Sequence, residues 1–413
     1  MGLFGIKKLI ALGAGIMAMA MGASLRMNVT NPSPSPSTIT QETNISVSDG
    51  DGLPRWQRIW TISAPGFHAG NLSPDGKNVA WVDQSGIVRR ADPATGKPLW
   101  QSPRYHGVNA VHITNLGVTL VYARLNPGEA SVRILDAVAG PSRSALIPVE
   151  GAIWCVEPTY DGRLAAVGVG SAALYLIPIR TDAAWPGVST KLNGIPESLS
   201  IAKSASLILT GTWLDSGISV WGLDRIPRWR RHERQSGRTQ NVTLSADGST
   251  AIVVSGIGDQ KREARLSVWD ARTGALRWAE NLEGDSPRSA VSADGKFIAI
   301  SYHRRINERE LAVSPKVALF DSKGKRLFGD KGGHFFEPEL VCLSGDGQRL
   351  TVYDKEGNLW TLNREGRIVS RLRPQANSTG KPIHIDDFFA TADGQGLLLY
   401  RSDKTLTLYR ATL

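Results

Sequence analysis

One short turn recurs along this chain and leaves few architectures open to it. An apolar strand runs into Ser/Thr-x-Asp-Gly, and a second apolar strand follows. The unit reads Ser73-Pro-Asp-Gly76 before Asn78-Val-Ala-Trp-Val82, and Ser245-Ala-Asp-Gly248 before Ala251-Ile-Val-Val254. It returns as Ser292-Ala-Asp-Gly295, Ser344-Gly-Asp-Gly347 and Thr391-Ala-Asp-Gly394, with Thr159-Tyr-Asp-Gly162 a close variant. Degenerate copies stand at Thr114-Asn-Leu-Gly117 and Ala202-Lys-Ser-Ala205. Asp can close such a turn through its side chain, and Gly takes the positive φ that a branched residue resists. The eight anchors lie 41 to 52 residues apart, about the length of one four-stranded propeller blade.

A second element follows the hairpins. Asp92-Pro-Ala-Thr-Gly96-Lys-Pro-Leu-Trp100 matches Asp270-Ala-Arg-Thr-Gly274-Ala-Leu-Arg-Trp278, with Asp321-Ser-Lys-Gly324-Lys-Arg-Leu-Phe328 close behind. Each reads as a strand ending at Asp, a turn through Gly and an outer strand bearing an aromatic. Ser267-Val-Trp-Asp270 and Ser219-Val-Trp221 resemble the ending of WD40 repeats, and the Asp-x-x-Thr-Gly-x-x-x-Trp run resembles the repeat of PQQ-like propellers. The resemblance spans about residues 54–413 and implies an all-β, eight-bladed β-propeller, with seven blades the alternative if either degenerate copy is not a blade. The last blade, from near Ile383 to Leu413, supplies only three strands. The segment Pro54–Ile62 is expected to complete it, joining the two ends of the ring.

Ahead of the repeats, Lys7 and Lys8 precede an uncharged run from Leu9 to Leu25. Basic residues before a modest apolar stretch form a secretory signal or a membrane anchor, assigned here to residues 1–26. Either would place the remainder outside the cytoplasmic membrane, in the periplasm or at the cell surface, secreted or tethered. Residues 27–53 are rich in Ser, Thr, Pro and Asn and read as a disordered linker. The propeller is assigned to 54–413.

The chain carries a formal net charge of +10. Charges in residues 1–53 cancel, so the excess belongs to the repeats, where it fits either an anionic partner or a solvated basic surface. Cys155 and Cys342 fall in blades expected to stand opposite one another, too far apart for a disulfide. Both read as small buried apolar groups. The basic run Arg225–Arg234 falls where an outer edge strand is expected, and charge there guards against edge-to-edge pairing.

Motif searches argue against catalysis. The seven histidines show no His-x-x-x-His spacing, and the chain has no Cys-x-x-Cys, Gly-x-Ser-x-Gly or Walker sequence. Quinoprotein dehydrogenases are similar only in their blades, and the adjacent cysteine pair many of them carry is absent. No cofactor and no metal are expected. Four histidines, His68, His106, His334 and His384, fall in loops leading into inner strands and so on one rim. Asp386 follows His384, and Arg262, Arg304 and Arg305 lie in the two longest inserted loops, which should project from the same rim. These eight residues form the candidate binding rim. The histidines also fit relics of the Gly-His position of WD40 repeats.

The expectation is a non-catalytic extracytoplasmic scaffold that binds another protein. The chain is similar in repeat type, blade count and size to PQQ-like outer-membrane assembly scaffolds, but lacks the lipoprotein cysteine after its leader. The alternatives are a propeller hydrolase or lactonase with a metal at the channel mouth, and a propeller that binds an anionic surface or glycan. No specific nucleic acid is expected as a partner.

Overall fold

The recurring turns are held by one set of hydrogen bonds. Ser73 Oγ donates to the Asp75 carboxylate (2.7 Å) and accepts from the Asn78 N–H (2.9 Å), while Asp75 accepts from the Lys77 N–H (3.1 Å). The Ser/Thr-to-Asp contact repeats at Thr159–Asp161 (2.6 Å), Ser245–Asp247 (2.6 Å), Ser292–Asp294 (2.8 Å) and Ser344–Asp346 (2.6 Å). The glycine that follows sits at φ between 66° and 69° in all six full copies, where a Cβ is strained.

The computed structural model describes residues 56–413 except 127–129, 182–187, 214–216, 233–237, 258–262, 283–284, 306–312, 330–337, 355–357, 373–384, 392–393 and 412–413. The leader at 1–26 and the linker at 27–53 lie outside the described residues. What is described is all-β, with thirty-two strands in eight antiparallel four-stranded blades. From blade 1 to blade 8 the inner strands are Phe67–Leu72, Ala110–Ile113, Ile153–Pro158, Ile195–Ile201, Arg238–Leu244, Asp285–Val291, Pro338–Leu343 and Ile385–Ala390. Both degenerate anchors open true blades: Gly117 N–H bonds Thr114 O (2.9 Å) and Ala202 N–H bonds Leu207 O (3.0 Å). The count is therefore eight, not seven. Blades 4 and 5 are additionally joined by one bridge, Trp213 to Arg238.

Blade 8 closes as its strand shortage requires. Trp56–Ser63 pairs antiparallel with Thr405–Ala411, from Trp56 opposite Ala411 to Ser63 opposite Thr405. The core lies between blades. Val111, Ile113, Val121 and Leu135 of blade 2, for example, pack against Ala80, Val82 and Val88 of blade 1. Each such aliphatic side chain contributes about 1.5–3 kcal/mol when fully buried.

The outer-strand aromatics explain the second sequence element. Each docks on the turn glycine of the following blade: Trp60 on Gly96, Trp100 on Gly140, Trp229 on Gly274, Trp278 on Gly324 and Phe328 on Gly366. The indoles also donate to turn carbonyls, Trp60 to Pro93 (2.9 Å), Trp229 to Ala271 (2.8 Å) and Trp278 to Ser322 (3.1 Å). A Cβ on Gly274 would stand 2.7 Å from Trp229. Glycine is thus required twice at these turns, for its φ of 69° at Gly274 and for the indole above it.

Antiparallel connectivity gives the ring two unlike rims. Anchor turns and third-to-outer turns share one, the turn rim. Second-to-third hairpins and the connections into the next inner strand share the other, the loop rim. Neighbouring turns on the turn rim are hydrogen-bonded to one another, as in Asp75 N–H to Asn115 Oδ1 (3.0 Å) and Asn115 Nδ2 to Tyr160 O (3.0 Å). Farther round, Asp247 N–H bonds Ala293 O (3.0 Å) and Ala293 N–H bonds Gly345 O (2.8 Å).

Candidate functional site

On the loop rim the inner strands do something their sequences conceal. Six begin with a one-residue β-bulge, at His68, Trp154, Glu197, Gln240, Glu339 and Asp386. All six stand five residues before the anchor of their blade. A bulge leaves one residue out of the ladder and re-aims it, and such devices gather at rims and binding sites. The rim therefore presents one irregular residue per blade over most of its circumference, on a rigid ring. His68 and Asp386 are exposed, and Trp154, Glu197 and Gln240 are half-buried. Trp154 packs on Trp213 of the next blade (centroids 5.7 Å apart).

The expected rim residues distribute as follows. His68 is not in a loop but is the bulge residue of blade 1. Asp386 is the equivalent residue of blade 8, next to blade 1 in the ring. His106 is exposed in the connection between blades 1 and 2. Arg304 and Arg305 lie in a strand rather than a loop, because the Phe297–Arg305 ladder extends to Arg304 opposite Ser314 and Arg305 opposite Val313. Arg262, His334 and His384 lie outside the described residues. The structure thus brings His68 and Asp386 onto adjacent blades at one register, and leaves the histidine set as a whole unassembled.

Deeper in the ring is a group that the sequence reading did not single out. His112 and Glu157 each stand two residues before their anchors, on the inner strands of blades 2 and 3. His112 Nε2 is 3.2 Å from Tyr122 Oη, their rings stacked at 6.0 Å and 8°. Burial, reinforced by Arg124 nearby, pushes the His112 imidazole down to about 4. Burial alone pushes the Glu157 carboxyl up to about 7. Arg124 is fixed from both sides, its N–H to Asn109 Oδ1 (2.6 Å) and its Nε to Trp154 O (3.0 Å). At neutral pH this wall holds a neutral imidazole, a phenol that burial keeps protonated and a carboxyl that burial pushes toward its neutral form. Cys155 and Cys342 are free thiols, both pushed by burial up to about 12 and so unreactive as nucleophiles. Among the described residues no three His, Cys, Asp or Glu side chains converge as a metal-ligand set.

The basic outer strand of blade 4, Pro227–His232, is exposed along its edge except for Trp229. Arg228 bonds Asp224 (2.7 Å), Arg230 lies over Trp221 (4.8 Å to the ring centroid), and Arg231 Nε donates to Gly274 O (3.2 Å). These guanidiniums serve their own seam.

No protein-family model matches the chain. An outer membrane protein assembly factor BamB from Yersinia pestis is 22% identical over 346 residues, covering 76% of this chain and 80% of that protein. The crystal structure of BamB from Moraxella catarrhalis superposes with a TM-score of 0.59 at 17% identity, covering 86% of this chain and 99% of that one. Kuenenia stuttgartiensis hydrazine synthase superposes with a TM-score of 0.53 at 15% identity, covering 84% and 96%. The chain accordingly shares the eight-bladed β-propeller fold. An assembly factor and an enzyme share that fold, so the fold alone does not assign the chemistry.

Proposed function

We propose that this chain is a protein-binding scaffold that works outside the cytoplasmic membrane and engages its partner through the loop rim. The observation that carries this reading is the bulge register: six of the eight inner strands open with one residue out of the ladder, all at the same distance from their anchors. That is an extended recognition surface rather than a focused catalytic centre. Charged, aromatic and amide groups alternate along it, as in interfaces that recognise a folded partner or an extended segment. The similarity to a protein named as an outer membrane assembly factor supports the same reading and its location. The leader expected at residues 1–26 would deliver the chain there, as a secreted or anchored protein.

The test is cross-linking of the full chain in its native host, comparing wild type with a variant carrying His68→Ala, Asp386→Ala and shortened segments at 258–262 and 306–312. The expected result is loss of a defined protein adduct with the fold intact by melting temperature. Retention of the same adducts would move the binding surface off this rim. A stoichiometric metal in the purified wild type, found by elemental analysis, would instead favour the hydrolase reading. The basic outer strand gives little support to polyanion binding, since Arg228, Arg230 and Arg231 are engaged within the chain.

A further inference from the structure

A cleft of about 350 Å³ opens on the loop rim where blade 1 meets blade 2. Its walls include Arg104, Tyr105, His106, Val108, Arg133 and Leu146. Arg104 ends the outer strand of blade 1 and is exposed. Arg133 lies on the third strand of blade 2, flanked across the sheet by Val121 and Leu146. Its guanidinium sits over the Tyr105 ring, 4.5 Å from the centroid. Among the described residues neither guanidinium is paired with a carboxylate, and none of the cleft's described walls carries Asp or Glu. Elsewhere on the blades Arg89 pairs with Asp83 (2.5 Å) and Arg277 with Asp270 (2.8 Å). Leu146 is 52% exposed at the same place, beside the apolar Val108.

We propose that this cleft binds an acidic peptide segment of the partner, seating a carboxylate between Arg104 and Arg133 and an adjacent aliphatic side chain against Leu146 and Val108. The inference rests on the scaffold reading above and gives it a partner chemistry. A guanidinium already stacked on an aromatic ring loses little freedom on accepting a carboxylate, and its planar fork matches one bidentately. His106 supplies a further polar contact at the mouth. The cavity has the size of a side-chain pocket rather than of a flat docking face. Its apolar wall favours a peptide over a free anion, and its concavity favours a protruding segment over a bilayer. The net charge of +10 draws anionic partners at long range.

The experiment uses the full-length protein and a fluorescein-labelled octapeptide of alternating Asp and Leu, read by anisotropy, with its Asn/Leu isostere as control. Wild type should bind the acidic peptide saturably and the isostere not at all. Arg104→Gln and Arg133→Gln should each weaken binding about tenfold, and the pair should abolish it. Arg163→Gln, on the turn rim, should change nothing. Melting curves accompany each variant; if Arg133→Gln unfolds early, Arg104→Gln, an exposed and unpaired position, carries the test alone. Undiminished binding by the double variant overturns the proposal. So does a cleft-dependent affinity for inorganic phosphate or phosphatidylglycerol vesicles that exceeds the affinity for the peptide. The scaffold reading is judged separately by host cross-linking. Adducts that survive in the double variant remove the cleft and keep the scaffold. A wild type that forms no protein adduct removes the scaffold reading, whatever the peptide does.

Discussion

The seam between blades 1 and 2 is built in opposite ways at its two ends. At the turn rim Trp100 covers Gly140 and its indole reaches Ala137 O (3.3 Å), while Arg90 donates to the same carbonyl and to Asn78 Oδ1. At the loop rim Arg133 lies on Tyr105 and Arg104 projects into the cleft, with no carboxylate in reach among the described residues. One end ties the Trp100 indole and both Arg90 Nη groups to partners within the chain, with only Arg90 Nε and Thr114 Oγ1 buried without one, and the other leaves two guanidiniums without a carboxylate. Satisfied groups hold blades together, whereas open ones are available to a partner. The difference separates the end tied within the chain from the end proposed to take a partner, and it can be broken by substitutions at each end.

The largest effect should come from the stapled rim. Trp229→Ala removes a buried indole and its bond to Ala271 O, and should cost about 3–5 kcal/mol in urea unfolding. Gly274→Ala places a methyl group under the same indole at positive φ, for about 1–3 kcal/mol. If either change is silent, the staples do not hold the seams.

An intermediate effect should come from the wall pair, and its sign depends on pH. Glu157 has its folded pKa raised, so its contribution is complete below about 4.5 and is lost as pH rises through about 7. His112 has its folded pKa depressed, so its contribution is complete above about 6.5 and is lost as pH falls toward about 4. Across most of that window the two slopes oppose and largely cancel. Glu157→Gln should therefore expose a loss of stability on acidification, relative to wild type, and should stabilise the chain above pH 7. His112→Gln should expose the reverse slope. Each change should amount to roughly 1–3 kcal/mol across the window. Denaturant midpoints at four or five pH values would reveal it, and parallel curves for wild type and both variants would sink the account.

The smallest effect on stability should come from the bulge ring. His68→Ala and Asp386→Ala alter exposed side chains and should stay within about 0.5 kcal/mol of wild type in thermal unfolding. A larger loss at either site would make the bulge residues structural and remove the contrast between the rims.

What could be read in advance divides along the same line. The anchors, the Asp-to-Trp runs and the borrowed strand of blade 8 were legible because they repeat, and they repeat because every blade faces the same closure problem. Even the degenerate Ala202 copy sits in register with the rest. The loop rim was legible only at His68, His106 and Asp386, found by residue type rather than by position. Counting five back from each anchor would have added Trp154, Glu197, Gln240 and Glu339. Counting two back would have paired His112 with Glu157, which are 45 residues apart in the chain but at one level of the ring. Arg104 and Arg133 obey no count. They meet because two blades stack, and that juxtaposition exists only in three dimensions. Arg304 and Arg305 went the other way: two residues that read as loop continue the ladder, opposite Ser314 and Val313.

The latch formed by Trp56–Ser63 on Thr405–Ala411 also orders events in time. During synthesis the first of these strands waits until the strands of all the intervening blades have emerged before its partner exists. Intermediate blades can zip from neighbour contacts, but the circle remains a crescent until Thr405–Ala411 arrives. A ribosome stalled before Thr405 would release an arc with two raw edges, the kind of species that chaperones and proteases recognise. The pairing therefore makes ring closure the last of the blade-forming steps as well as a clasp.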